Sequence, residues 1–179
     1  MGLGMIAIAS AAAKVGIAAA VVVLAIARIR GSRDYSPEKF GLVRPSILPF
    51  IGFFVAYMAW MLASDMLVHW RGPWNFEPWR KAPYLASALR LIAVCGLGPV
   101  AEELVFRSLI FHWLSERIVM PLVIATTALS WALLHYSYSW TVIAIIVVDG
   151  VLLALARWKS GSVVTPILMH AAYNLYAIW

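Results

Sequence analysis

The sequence predicts an all-α protein, a polytopic membrane bundle of about six transmembrane helices. Of its 179 residues, 64% are hydrophobic and 12% are charged, whereas a soluble domain has about 45–50% apolar and about 25% charged residues. The apolar residues form continuous runs of the length that crosses a bilayer as a helix, unlike the alternating pattern of barrel strands. The net charge of +6 comes from basic residues between these runs, as the positive-inside rule describes. The sequence therefore predicts no nucleic-acid partner.

The first half of the chain, residues 1–83, is predicted to contain two spans and an aromatic interfacial loop. The first span covers 3–27, and the basic residues after it favour a retained anchor over a cleaved signal peptide. A polar linker at 28–44 leads to the second span, at 46–68. The loop at 69–83 is rich in Trp and Pro, a composition typical of a segment lying at the membrane surface.

The second half, residues 84–179, is predicted to be a helical core that forms one compact membrane domain with the first half. The apolar run at 84–114 is too long for one straight span. Its Gly96-Leu97-Gly98-Pro99 sequence predicts a kink or break, because proline cannot continue the helical hydrogen-bond ladder. Three further spans are predicted at 120–135, 140–156 and 163–178.

Several polar residues interrupt these runs, and at membrane depth ionisable residues mark a functional site. They are Glu102, Glu103, Arg107, Trp131, His135, His170 and Asn174. With the amino terminus outside, most basic residues fall on the cytoplasmic side. A rise of about 1.5 Å per residue then brings the glutamates, histidines and asparagine to a similar depth in the outer half of the bilayer. Glu103 and Arg107, four residues apart, are predicted to form an ion pair on one helical face.

These residue types are suited to hydrolysis of an amide bond. Glu102 is turned about 100° away from the ion pair and can act as general base on a water molecule, helped by His135. His170 and Asn174 share one face of the last helix and can donate hydrogen bonds to the oxyanion of a tetrahedral intermediate. The four residues together predict a catalytic site.

A metal site would use some of the same atoms. Glu102, His135 and His170 would form a set of two imidazoles and one carboxylate, as in some zinc hydrolases. The chain contains no His-Glu-x-x-His helix, however, and the three residues come from three separate helices. The sequence therefore predicts no cofactor and leaves zinc as the alternative.

The ordered motifs resemble those of the CAAX-protease and bacteriocin-processing family of intramembrane endopeptidases, also called the Rce-type or ABI family. The resemblance covers residues 84–179 and rests on three motifs in order. They are the Glu-Glu-x-x-x-Arg run at 102–107, Trp131 followed by His135, and the His-x-x-x-Asn run at 170–174. It implies an endopeptidase that cuts near the carboxy-terminal end of membrane-tethered protein or peptide substrates. It also implies that Glu102 activates water, with His135 beside that water and the last-helix pair forming the oxyanion hole.

The chain departs from the family at three positions. Trp131 stands where phenylalanine is usual, and Ser108 where glycine is usual. Asp149 lies within a span that is more often apolar or Gly-rich; we expect it to pair with an arginine, and the alternative is a substrate-facing group peculiar to this chain. Asp65 is expected to be a solvated helix cap rather than a proton relay, and His69 and His112 are expected to be structural or incidental.

The depth of the site predicts processing of exported or tail-anchored substrates at the outer face, rather than of prenylated cytosolic proteins. The composition and the resemblance predict a multi-pass protein of a bacterial or archaeal cell membrane. Two other functions use the same residues: a catalytically silent scaffold or immunity protein, and a proton-coupled transporter. A transporter would show broken helices in both halves, whereas only the 96–99 segment predicts one.

Overall fold

The protein is all-helical within residues 3–71 and 82–178, which the computed structural model describes. The helices are, in chain order, α1 (Leu3–Arg30), α2 (Pro37–Phe40), α3 (Ile47–Val68), α4 (Tyr84–Ser115), α5 (Met120–Leu133), α6 (Trp140–Ser160) and α7 (Val164–Ala177). This confirms the predicted fold class. Most of the predicted interfacial loop, residues 72–81, lies outside the described residues.

The helices differ in how far they can reach across a bilayer. Four of the described helices, α1, α3, α4 and α6, are long and apolar enough to cross one. In contrast, α5 and α7 have 14 residues each, about 21 Å of helix, against a hydrocarbon core of about 30 Å. The helices at the predicted spans 120–135 and 163–178 are therefore shorter than predicted. His135 lies in the turn after α5 and not within it.

The kink or break predicted in α4 corresponds to a wider helical turn. Residues 92–97 and 104–110 wind as π-helix within a continuous helix, a feature often found at functional sites. The Gly98 N–H bonds to the carbonyl of Ala93, five residues earlier. A Cβ at Gly98 would lie 2.6 Å from that oxygen, so the turn requires glycine. The two glutamates consequently lie between two π-helical segments.

Small residues allow α5 and α6 to approach closely. Ala128 and Ala132 of α5 and Ala154 of α6 are fully buried. A Cβ at Gly150 of α6 would lie 2.9 Å from the Cα of Ala128, as is common at helix interfaces within membranes. This contact packs the middle of α5 against the middle of α6.

The linker between α1 and α3 is bound to the inner ends of α4 and α6. The Ser108 hydroxyl, fully buried, donates to the carbonyl of Phe40 at 2.7 Å. The Arg157 guanidinium donates to the carbonyls of Lys39 and Arg107, each at 3.0 Å. Ser108 therefore has a defined partner in the first half of the chain, outside residues 84–179.

A second contact of the linker involves His112 of α4. Its Nε2 lies 3.1 Å from Oδ2 of Asp34 and 3.7 Å from Oε1 of Glu116. The hydrogen bond from the Ser32 hydroxyl, followed by those with His112 and Lys39, holds the pKa of Asp34 well below its usual range. This network attaches the start of the linker to α4, which agrees with the structural role expected of His112.

Both isolated aspartates have partners that the sequence analysis did not predict. Asp65 accepts a hydrogen bond from the Tyr176 hydroxyl at 2.6 Å and lies 3.3 Å from Nε of Arg71. Its side chain is only 12% exposed, so the predicted solvated cap is wrong. Asp149 accepts a hydrogen bond from the Trp60 indole at 2.8 Å. Its described partner is therefore a tryptophan of α3 and not the expected arginine.

Candidate active site

Glu102 lies at a cavity between α1 and α4. Its side chain is partly buried, and its Oε2 accepts a hydrogen bond from the indole Nε1 of Trp131 at 2.6 Å. The cavity has a volume of about 440 Å³, and apart from Glu102 and Lys14 its lining is almost entirely apolar. Leu134, just after α5, lies at its edge. A carboxylate in this position can meet a ligand that enters between the two helices.

Glu103 points in the other direction, into the protein. Its side chain and that of Arg107 are both fully buried, and the two are joined by a hydrogen bond of 3.3 Å from Nη1 to Oε1. The predicted ion pair is therefore present. The same carboxylate oxygen lies 2.9 Å from Nδ1 of His170, and Nη2 of Arg107 donates to the carbonyl of Gly150 at 3.2 Å. The pair thus connects α4, α6 and α7.

Trp131 is at the centre of the site. Only 3% of this residue is exposed. Its ring meets those of His135 and His170 edge-on, with 5.2 Å between centroids in each case, and the guanidinium of Arg107 lies 4.7 Å from its centroid. Because its indole also donates to Glu102, Trp131 contacts four of the residues that the sequence predicted for the site. A phenylalanine could not supply that hydrogen bond.

His135 is held at the end of α5. Its Nδ1 lies 3.1 Å from the carbonyl of Trp131, which also accepts a hydrogen bond from the Leu134 N–H in the last turn. Its ring stacks on Tyr138, with 5.9 Å between centroids. This arrangement orients the imidazole and leaves Nε2 without a hydrogen bond to the described residues.

The two residues predicted for the oxyanion hole both contact α4. His170 bonds to Glu103 through Nδ1, and the Asn174 amide donates to the carbonyl of Val94 at 2.8 Å. Val94 lies in the first π-helical segment. The Gly-Pro sequence was the signal for an irregular turn there, but no sequence pattern connected that turn to Asn174.

The predicted zinc ligands are not brought together in this arrangement. Oε2 of Glu102 bonds to Trp131, and Nδ1 of His170 bonds to Glu103 instead. The described part of the chain does gather three suitable ligand atoms within 4.8 Å at the inner end of α4, from Asp34, His112 and Glu116. Among the described residues, the bonds of Glu102, His135 and His170 leave Oε1 of the glutamate and Nε2 of both imidazoles unused, so zinc at these residues stays an alternative.

A comparison with protein families agrees with the resemblance seen in the motifs. The family model described as "Rce1-like: Type II CAAX prenyl endopeptidase Rce1-like" matches residues 84–176, which is more than half of the chain and includes every residue predicted for the site. No significant match was found among curated proteins or solved structures. The family is one of peptidases, and the apolar helices indicate an integral, multi-pass membrane protein. The chain therefore belongs to the Rce1-like family of type II CAAX prenyl endopeptidases.

Proposed function

We propose that this protein is an intramembrane endopeptidase that uses a water molecule activated by Glu102 to hydrolyse a peptide bond near the carboxy-terminal end of a membrane-tethered substrate. The observation that carries the proposal is the position of Glu102 at an apolar cavity, with its carboxylate held by Trp131. An ordered carboxylate in a water-poor site is well placed to take a proton from a bound water.

The proton transfers can be assigned to individual atoms. The indole bond occupies Oε2 of Glu102, so we assign Oε1 as the oxygen that accepts the proton of the water. The hydroxide formed attacks the substrate carbonyl, and the proton then passes to the leaving amine. His135, whose Nδ1 is held by a backbone carbonyl, can assist this transfer through Nε2.

His170 and Asn174 are the donors that we assign to the developing oxyanion. The Asn174 amide carries two N–H groups; one bonds to the Val94 carbonyl, and the second remains for the substrate. His170 uses Nδ1 toward Glu103, so it can donate through Nε2 when both ring nitrogens are protonated. Glu103 and Arg107 then act as positioning residues for this imidazole.

The mechanism is tested by cleavage of prenylated and unprenylated reporter peptides by purified protein in lipid nanodiscs. Glu102→Gln is expected to reduce cleavage by about 10²–10⁴-fold, the usual contribution of a general acid–base group. Glu116→Gln is the matched control, since it makes the same change just after α4, where the side chain is 45% exposed; wild-type rates are expected.

The remaining outcomes separate the alternatives. Cleavage that requires Glu102 and survives a strong chelator supports glutamate chemistry. Loss of cleavage on chelation, with recovery on addition of zinc, would replace it with a metal mechanism. Full activity of Glu102→Gln would contradict the assignment, and absence of Glu102-dependent cleavage for every reporter would favour a scaffold.

We also infer that the site opens toward the outer face. Fifteen residues separate Glu102 from Arg117 at the inner end of α4, a rise of about 22 Å. His135 follows the outer end of α5 and is partly exposed. A cysteine introduced at His135 should react with a membrane-impermeant thiol reagent added outside the cell. Labelling from the cytoplasmic side alone would refute this inference.

A further inference from the structure

Lys14 of α1 lines the same cavity as Glu102. These two are the charged residues among those that line it, and they lie on different walls, one on α1 and one on α4. Lys14 is exposed, and it is the one charged residue between positions 3 and 27. No described carboxylate lies within 4.0 Å of its ammonium group. An ionisable residue at membrane depth is costly and marks a functional site.

Lys14 and Glu102 both lie at membrane depth, with Lys14 nearer the outer face. Fourteen residues separate Lys14 from Arg28, about 21 Å of helix, and eighteen residues separate Glu102 from Tyr84 at the outer end of α4, about 27 Å. Lys14 is also eleven residues from Leu3, about 16 Å from the outer end of α1. It is therefore distant from both layers of lipid head groups, which argues against a lipid phosphate as its partner.

We infer that Lys14 binds the terminal carboxylate of the substrate, so that the bond to be cut lies over Glu102. This inference rests on the proposed function. The cavity volume of about 440 Å³ falls in the usual range for ligand sites, about 300–1,000 Å³, and its apolar walls suit apolar side chains. In such surroundings an ammonium group attracts a carboxylate more strongly than it does in water. Lys14 then sets how many substrate residues lie between the cleaved bond and the carboxy terminus of the substrate.

A neighbouring cavity supplies a route to this position. It has a volume of about 310 Å³ and is bordered by Lys14, Arg90 and the hydroxyl-bearing Ser10 and Ser87. Arg90 is six residues from the outer end of α4, a rise of about 9 Å. A carboxylate that enters along the contact between α1 and α4 would thus meet Arg90 and then Lys14. Because α1 lies outside residues 84–176, the matched family region does not contain this lysine.

The experiment compares binding of two fluorescent lipidated peptides that differ only in having a free carboxylate or an amide at the carboxy terminus. Binding is measured in nanodiscs to Glu102→Gln protein, which does not consume the peptide. The free acid is expected to bind at least tenfold more tightly than the amide. Lys14→Met should remove this preference and Lys14→Arg should keep most of it. Arg30→Met, which removes an exposed cation in the last turn of α1 and outside this cavity, is the matched control and should bind as the parent protein does.

Each outcome decides between the inferences. Equal binding of acid and amide to the parent protein, or an unchanged preference in Lys14→Met, would overturn the role of Lys14. If a soluble short-chain phosphatidylglycerol displaced the labelled free-acid peptide as well as unlabelled free-acid peptide does, Lys14 would be assigned to lipid instead. Acid-selective binding that depends on Lys14, without Glu102-dependent hydrolysis in the wild type, would refute the proposed function and leave this binding site standing.

Discussion

Replacement of Arg107 by methionine is expected to destabilise the protein more than any exposed charge removal. The Arg107 and Glu103 side chains are both fully buried and are joined at 3.3 Å, and Arg107 also donates to the carbonyl of Gly150 at 3.2 Å. Methionine would fill much of the space but leave the Glu103 charge without its cation. Removal of one partner of a buried ion pair costs about 3–5 kcal/mol, and we expect a loss in this range.

Arg117→Met is the matched control, because it makes the same substitution just beyond the inner end of α4. The Arg117 side chain is 49% exposed and lies 3.9 Å from the carboxylate of Glu116, so its loss should cost less than about 1 kcal/mol. Free energies of unfolding would be measured by reversible denaturation in mixed detergent micelles. A double variant that also carries Glu103→Gln should recover part of the loss. Arg107→Met and Arg117→Met values within about 1 kcal/mol of each other would refute the reasoning.

Two further predictions use the same unfolding measurement. Gly98→Ala should lower the free energy of unfolding by about 1–3 kcal/mol, because its Cβ would lie 2.6 Å from a backbone oxygen. Gly96→Ala, whose Cβ would have nothing within 4 Å, should be neutral or stabilising. Equal effects of the two substitutions would contradict the π-helical turn. Asn174→Leu should cost about 1–3 kcal/mol, because it leaves a backbone carbonyl without its donor. Cleavage by Asn174→Leu should fall by about 10²–10³-fold if the amide also serves the oxyanion, whereas unchanged cleavage would limit this residue to positioning.

Much of the architecture could be predicted from the sequence because the bilayer imposes simple rules. Apolar runs must be helical, since lipid offers no partner for backbone polar groups, and the structure is all-helical in its described residues. The spacing of Glu103 and Arg107 predicted their ion pair from helical periodicity alone. Segment length was less well predicted. The helix before His135 ends at Leu133, because an apolar run shows what can lie in lipid and not where the helix stops.

The detailed partners of the site residues could not be predicted. Helical periodicity of 3.6 residues per turn does not hold through a π-helical segment, so the carbonyl that Asn174 meets was outside the pattern. The burial of Asp65 against Tyr176 depends on how α3 and α7 meet. The sequence of α1 shows Lys14 only as a long basic side chain in an apolar helix. Its position in the Glu102 cavity is visible only in the tertiary structure.

The sequence by itself determined that this is a helical membrane protein with an ordered set of polar motifs, and those motifs were sufficient to indicate the family. These properties depend on residue type and spacing along one chain. Only the tertiary structure decided that Trp131 holds Glu102, that Glu103 holds His170, and that Lys14 shares a cavity with Glu102. Such contacts join helices distant in sequence, and they follow from close packing of small residues such as Gly150 against Ala128, which no single helix specifies alone.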